Sequence, residues 1–269
     1  YLMQYLTIRN TNINVSRVSF GTASLHHLLS PKKRNMLLEK ALSLGITHFD
    51  TSPYYGYGLS EVELGKMLKG QRNDITISTK VGLYPPKNTS YNLFNIWTRK
   101  AIGKFYSKLS RPEIDWSVKV ANLSLEHSLK RLNTDYVDFL FLHEPNMIII
   151  ETEEFTKWIE ELIKQGKIRH GGLAGLPKLI QPWVEKSHPL CKVIQTRDSP
   201  SDREIINSFS INGHIPQFTY GFLSQISQSD PLNNVEKIMQ NALQRNYSGS
   251  VIVSTRKLLR LKELIGPFK

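Results

Sequence analysis

Cysteine is nearly absent from this sequence, since Cys191 is the only one among 269 residues. A disulfide within the chain is therefore excluded, and a reducing, cytoplasmic setting is the simplest interpretation. The sequence also lacks an apolar run of about 18 residues, so we expect no membrane span. Its first residues do not follow the charged-then-apolar pattern of a signal peptide.

Acidic residues are fewer than basic ones. The chain has 35 Lys and Arg against 23 Asp and Glu, which gives a net charge of +12. Such a charge can attract nucleic acid, an acidic membrane surface or an anionic small molecule. No nucleic-acid-binding motif accompanies it, so a nucleic-acid partner is not favoured, and simple solubility is the alternative explanation.

Short β-rich runs alternate with longer amphipathic runs along the chain. Residues 15–22 and 46–50 are predicted strands, and residues 60–70 are a predicted helix with Ser60 as its N-cap. Eight such strand–helix pairs in about 255 residues predict an α/β fold, a single closed (β/α)8 barrel over residues 1–269. An open doubly wound sheet is the alternative, but no GxGxxG motif follows the first strand. Residues 3–15 predict a short N-terminal β-hairpin that caps the barrel.

Ionisable residues mark the ends of three successive predicted strands. The second strand ends in Asp50, the third in Lys80 and the fourth in His143, and Tyr55 lies in the loop after Asp50. Because active sites of such barrels lie at the carboxyl ends of the strands, we expect these four side chains to share one pocket. Each of these residues taken alone has a structural explanation without catalysis, such as a helix cap or a solvated strand end. Their combination favours catalysis.

These residue types suit proton transfer to or from an oxygen atom. A tyrosine hydroxyl has a pKa of about 10, which a nearby lysine ammonium is expected to lower. An aspartate keeps that lysine charged, and a neutral histidine can donate a hydrogen bond to a carbonyl oxygen. Such a set of groups can protonate a carbonyl oxygen while a hydride adds to the carbonyl carbon. Protein side chains cannot donate a hydride, so a nicotinamide or flavin must supply it.

Three segments together resemble the aldo-keto reductases: "FDTSPYYGYGLSEVELG" (49–65), "TKVG" (79–82) and "SLEHSLKRLNTDYVDFLFLH" (124–143). The resemblance covers nearly the whole chain, and with "GLAGLP" (172–177) it is nearest the branch of L-galactose and D-threo-aldose dehydrogenases. It implies a catalytic tetrad, which is Asp50, Tyr55, Lys80 and His143 in this sequence.

The resemblance also implies an NAD(P) cofactor extended across the mouth of the barrel, and no metal. It assigns Gly21 and Thr22 to the nicotinamide ribose, Gln195 to the carboxamide and Tyr220 to stacking on the ring. The residues it assigns to the adenosine phosphate are Ser254, Thr255, Arg256 and Arg260. Hydroxyl and guanidinium groups at a helix N-terminus suit a phosphate. The arginines favour NADP(H), with NAD(H) as the alternative.

Two positions depart from the family pattern. Members often carry Ser-Asn after the fifth strand, where the Asn holds the carboxamide, whereas this chain has Ala174 and Gly175. Members also often carry an Asn against the adenine, where this chain has Leu264. We therefore expect one amide contact to be lost or replaced, and the adenine to be held more loosely.

The longest irregular stretch, residues 81–113, holds six aromatic and six basic residues. Such a composition suits a sugar that carries a carboxylate or phosphate, but also a single-stranded nucleic acid or an acidic protein. The alternative without a binding role is an amphipathic helix that packs on the barrel. Many aldo-keto reductases cover the substrate with a C-terminal loop, whereas residue 269 follows the last predicted helix closely. The resemblance therefore implies an open site that admits a bulky or carrier-linked substrate.

We therefore predict an NAD(P)-dependent oxidoreductase that interconverts a carbonyl and an alcohol on a sugar-like or carrier-linked sugar substrate. Tyr55 is its predicted general acid and base, tuned by Lys80. The alternative is a catalytically weak barrel that binds the cofactor as a redox sensor or regulatory subunit.

Overall fold

The computed structural model describes residues 3–86, 111–222 and 235–265. Twelve strands lie in these ranges: β1 (Tyr5–Thr7), β2 (Asn14–Ser16), β3 (Val18–Gly21), β4 (His48–Asp50), β5 (Thr76–Val81), β6 (Leu83–Tyr84), β7 (Glu113–Ile114), β8 (Val137–His143), β9 (Ile168–Gly175), β10 (Ile194–Arg197), β11 (Phe218–Tyr220) and β12 (Ser250–Val253). Eight of them form a closed parallel barrel in the order β3-β4-β5-β8-β9-β10-β11-β12, and β12 pairs with β3 to complete the ring. The predicted (β/α)8 barrel is confirmed, and the doubly wound alternative is wrong.

Helices follow the barrel strands in the predicted alternation. Eight α-helices lie in the described ranges: α1 (Pro31–Ser43), α2 (Leu59–Met67), α3 (Val118–Leu132), α4 (Thr152–Lys164), α5 (Pro177–Glu185), α6 (Arg203–Ile211), α7 (Val235–Arg245) and α8 (Leu258–Ile265). Among the described residues, none of these helices is long and apolar enough to cross a membrane.

The predicted N-cap of α2 is wrong. The helix begins one residue earlier than Ser60, with Gly58 in the cap position. The Ser60 hydroxyl donates instead to the carbonyl oxygen of Thr22, 3.0 Å away. This bond ties the start of α2 to the loop that follows β3, on the side of the barrel where the candidate site lies.

The N-terminal hairpin is confirmed and packs on the barrel. Strand β1 pairs with β2 in antiparallel fashion, and Ile8, Ile13 and Val15 are buried in one cluster with barrel residues such as Phe139 and Phe218. Burying aliphatic side chains against these rings removes apolar surface from water, which stabilises the hairpin in place. The hairpin also contacts the chain just before β10 and β11, so it lies at the N-terminal ends of the strands.

The long segment after β5 is described only at its two ends. Strands β6 and β7 pair across it, Tyr84 is buried and Arg111 is exposed. Residues 87–110, which include the other aromatic and basic residues of this segment, lie outside the described residues.

Candidate active site

One cavity of about 410 Å³ opens at the carboxyl ends of the barrel strands. That volume lies in the range of small-molecule sites in proteins. Eight of the predicted site residues line the cavity: Gly21, Asp50, Tyr55, Lys80, His143, Gln195, Tyr220 and Ser254. The structure therefore brings Asp50, Tyr55, Lys80 and His143 together at one cavity.

A buried ion pair lies at the floor of this cavity. The Lys80 ammonium contacts the Asp50 carboxylate oxygens at 2.7 and 2.8 Å, and both side chains are almost fully buried. It also donates to the Thr51 carbonyl oxygen at 2.9 Å and to the Tyr55 hydroxyl at 3.3 Å. The Ser78 hydroxyl donates to Asp50 at 2.8 Å. Asp50, Lys80 and Tyr55 thus form one continuous chain of polar contacts that ends at a cavity-lining hydroxyl.

The turn that carries Tyr55 depends on the glycine after it. Gly56 has a φ of 60°, and a Cβ atom there would lie 2.5 Å from the Cβ of His26. A larger residue would meet both a left-handed backbone and a steric clash. The glycine therefore lets the short 3-10 turn Tyr55–Gly58 fold back and hold Tyr55 over Lys80.

The expected direction of the Tyr55 pKa shift is wrong. Burial raises the pKa of Tyr55 well above its usual value, and the charges of Asp50 and Glu144 raise it further. The Lys80 ammonium does not reverse this, because both oxygens of Asp50 already compensate its charge. Tyr55 thus carries its proton at neutral pH in this structure, and the raised pKa makes its hydroxyl a weaker acid than a free phenol.

His143 lies beside Tyr55 on the same wall. Their rings are 6.1 Å apart in an edge-to-face arrangement. Burial, and then the charge of Lys80, lower the pKa of His143 well below its usual value, so its imidazole is neutral at neutral pH. A neutral imidazole can donate one hydrogen bond and accept another, and its buried Nδ1 atom has no partner among the described residues.

Sequence reasoning missed two polar residues at this site. Ser78 holds Asp50, and its place two residues before Lys80 on β5 could have indicated the shared face. Glu144 also lines the cavity. Its position directly after His143 was the available signal.

The cofactor residues predicted for the nicotinamide end mostly line the cavity. Gly21, Gln195 and Tyr220 do so, and Gln195 is almost fully buried, with its side-chain oxygen lacking a partner among the described residues. A buried acceptor without a partner is costly unless a ligand satisfies it. This orphaned oxygen belongs to a residue that lines a cavity with a proton donor, and it fits a nicotinamide with its amide group. Thr22 is the exception, because it is fully buried and its hydroxyl donates to the Asp50 carbonyl oxygen at 3.0 Å.

The residues predicted for the adenosine phosphate are spread over the segment before and within α8. Ser254 lines the cavity and exchanges a hydrogen bond of 2.8 Å with Ser24. The other three do not line it: Thr255, Arg256 and Arg260. Arg256 is exposed, and the Arg260 guanidinium contacts Glu263 at 3.1 Å. Leu264, the departure from the family pattern, is fully buried in the core.

The fold is a closed parallel barrel, and its cavity holds a tyrosine hydroxyl against a lysine–aspartate ion pair. The model of the aldo/keto reductase family matches residues 17–186, and the chain belongs to this family. Its members are oxidoreductases that act on carbonyls and alcohols.

Two curated relatives and one solved structure illustrate the similarity. The chain is 32% identical to an L-galactose dehydrogenase of Arabidopsis thaliana over 183 residues, which cover 65% of this chain and 49% of that protein. It is 31% identical to a D-threo-aldose 1-dehydrogenase of a Pseudomonas species over 135 residues, or 49% of this chain and 40% of that protein. The chain thus spans about half or less of the length of these relatives.

The structural similarity extends further along the chain. The holo form of an aldo-keto reductase from Bacillus halodurans superposes with a TM-score of 0.76, covering 100% of this chain and 91% of that chain. Its sequence identity is 21%, so this match shows the shared fold alone.

Proposed function

We propose that this protein is an NADP(H)-dependent oxidoreductase that interconverts a carbonyl and an alcohol on a sugar-like substrate. One observation carries the proposal. The Lys80 ammonium is held by Asp50 and contacts the Tyr55 hydroxyl at 3.3 Å, at the edge of a cavity that His143 also lines.

Each side chain has a separate part in the proposed reaction. The Tyr55 hydroxyl gives its proton to the carbonyl oxygen during reduction and takes it back during alcohol oxidation. The Lys80 ammonium stabilises the phenolate left on Tyr55, and Asp50 keeps Lys80 charged and in place. His143, neutral because it is buried, orients the carbonyl by a hydrogen bond. A bound nicotinamide supplies or accepts the hydride, and Gln195, Gly21 and Tyr220 are the residues that would hold it.

The choice of a sugar-like substrate rests on relatives named for sugar oxidation. The net charge of +12 supports an anionic group on that substrate. A sugar attached to a carrier molecule is a bulkier substrate of the same class, and the proposal includes it. The single cysteine, which is buried, supports the proposed cytoplasmic setting.

The preference for NADP(H) rests on Arg256 and Arg260. They lie before and within α8, close in sequence to the cavity-lining Ser254. A 2′-phosphate gains strong charge-assisted hydrogen bonds from guanidinium groups. We expect fluorescence titration to show tighter binding of NADPH than of NADH. Replacing either arginine with alanine should cost roughly ten-fold in NADPH affinity and leave NADH binding nearly unchanged.

Arg9→Ala is the matched control for these variants. Arg9 is an exposed arginine of the hairpin, at the opposite end of the barrel. This variant removes the same charge, so it should bind both dinucleotides as the wild type does. If the wild type bound neither NADPH nor NADH, the oxidoreductase proposal would be overturned.

A further inference from the structure

Glu144 is held in an unusual backbone conformation at the cavity wall. Its φ is 55°, in the left-handed region that side chains other than glycine and asparagine rarely adopt. Its backbone N–H donates to the carbonyl oxygen of Ala174 at 2.7 Å. Strain of this kind persists where the surrounding structure enforces it, and it is concentrated at functional sites.

The side chain of Glu144 is fixed at one oxygen only. The backbone N–H of Leu176 donates to Oε2 at 3.0 Å, and Oε1 has no partner among the described residues. Burial raises the pKa of Glu144, and the bond from Leu176 and the charges of Arg197 and Lys178 oppose that shift. A half-buried carboxylate therefore presents a vacant acceptor oxygen.

Gly175 provides the room for this carboxylate. A Cβ atom at Gly175 would lie 3.0 Å from Glu144 Oε2 and 3.1 Å from its Cα. Both contacts are tighter than ordinary van der Waals distances. Glu144 can therefore occupy this part of the cavity wall only because residue 175 has no side chain.

A second residue with a side-chain acceptor lies two strands away and lines the same cavity. His143, Ala174 and Gln195 are register partners across β8, β9 and β10. Ala174 offers no polar side chain, so the polar groups on either side of it decide what this wall can bind. They include the orphaned oxygen of Gln195 and the carboxylate of Glu144.

A nicotinamide amide matches this pair of acceptors. The amide is attached to the carbon next to the hydride-bearing carbon, so it lies beside the reacting groups, and its NH2 offers two donors. Resting on the function proposed above, we propose that Glu144 accepts a hydrogen bond from the carboxamide NH2 of the nicotinamide cofactor. Glu144 then replaces the amide contact that Ala174 and Gly175 cannot make.

The test compares NADP⁺ with its 3-acetylpyridine analogue, which keeps the ring carbonyl but has a methyl group in place of NH2. Binding constants are measured by calorimetry, without substrate or turnover. The wild type should prefer NADP⁺ by roughly ten-fold or more, since hydrogen bonds to charged groups are the stronger ones. Glu144→Ala should reduce this preference to about two-fold or less, with Glu144→Gln between the two.

Glu151→Gln is the matched control, because Glu151 is exposed and does not line the cavity. It should keep the wild-type preference. Glu144→Gln retains an acceptor for the Leu176 N–H, so this variant tests the inference even if Glu144→Ala does not fold.

Three results would count against the inference in different ways. An undiminished preference for NADP⁺ in both Glu144 variants would overturn it. Unchanged binding of both dinucleotides together with a raised KM for the carbonyl substrate would overturn it in favour of a substrate contact. Failure of the wild type to bind any dinucleotide would overturn the proposed function itself, and this inference with it.

Discussion

Replacing Tyr55 with phenylalanine is expected to lower kcat/KM for carbonyl reduction by about 10³-fold or more, because general acid catalysis and the paired Lys80 charge act through this one hydroxyl. The phenyl ring keeps the shape of the cavity wall. Dinucleotide affinity should therefore change by less than about three-fold. Steady-state kinetics and a parallel cofactor titration measure the two quantities.

Tyr54→Phe serves as the control for this variant. It removes the same hydroxyl one residue earlier in the loop, from a half-buried side chain that does not line the cavity. Its kcat/KM should stay close to the wild-type value. If Tyr55→Phe retained most of the activity, Tyr55 would not be the proton donor.

Replacing Lys80 with methionine is expected to lower the free energy of unfolding by about 3–5 kcal/mol, because it leaves the Asp50 carboxylate buried without its partner. Adding Asp50→Asn to Lys80→Met gives a double variant in which the buried negative charge is also removed. The hydrogen bond from Ser78 to residue 50 can persist in it. The double variant should regain about 2 kcal/mol or more of the lost stability. Its catalysis should stay at least about 10²-fold below wild type, because no ammonium stabilises the Tyr55 phenolate.

Urea unfolding and kcat/KM of the single and double variants separate these two roles of the ion pair. Lys66→Met is the comparison, since Lys66 is an exposed lysine paired with Glu63 at 2.9 Å. Arg34 also contacts Glu63. Loss of the Lys66 contact should therefore lower the free energy of unfolding by about 1 kcal/mol or less. Recovery of activity in the double variant would show that Lys80 serves stability alone.

The clustering of Asp50, Tyr55, Lys80 and His143 could be predicted because their placement depends on local features. Asp50 and His143 end their barrel strands and Lys80 lies one residue before the end of β5, and parallel strands bring such ends to one face. The register of the barrel, with Asp50 opposite Gly21 and Ser78, carries these ends to one cavity. The turn at Tyr55 is also encoded locally, by the glycine that follows it.

Glu144 could not be predicted in the same way. In the sequence it resembles any charged residue after a strand. The direction of the Glu144 side chain depends on the left-handed backbone at this residue. It also depends on the space left by Gly175, which is 31 residues away in the chain. The departure at Ala174 and Gly175 was visible in the sequence, but the side chain that occupies the space was not.

The pKa of Tyr55 was predicted in the wrong direction for a related reason. A pairwise view of Tyr55 and Lys80 gives a lower pKa. The structure adds burial and the opposing charges of Asp50 and Glu144, which together raise it. The sequence shows which groups are near one another, but it does not show how much water each has lost.

Transfer of deuterium from NADPH labelled at the nicotinamide C4 position is the most direct test of the central claim. The wild-type protein would be mixed with a panel of sugar aldehydes and ketones, and the products analysed by mass spectrometry. We expect one deuterium on the carbinol carbon of at least one product, with NADPH oxidised in equal amount. The rate of deuterium transfer with Tyr55→Phe should be lower by about 10³-fold or more. Tight binding of NADPH with no deuterated product across the panel would contradict the account and favour a barrel that binds the cofactor as a sensor.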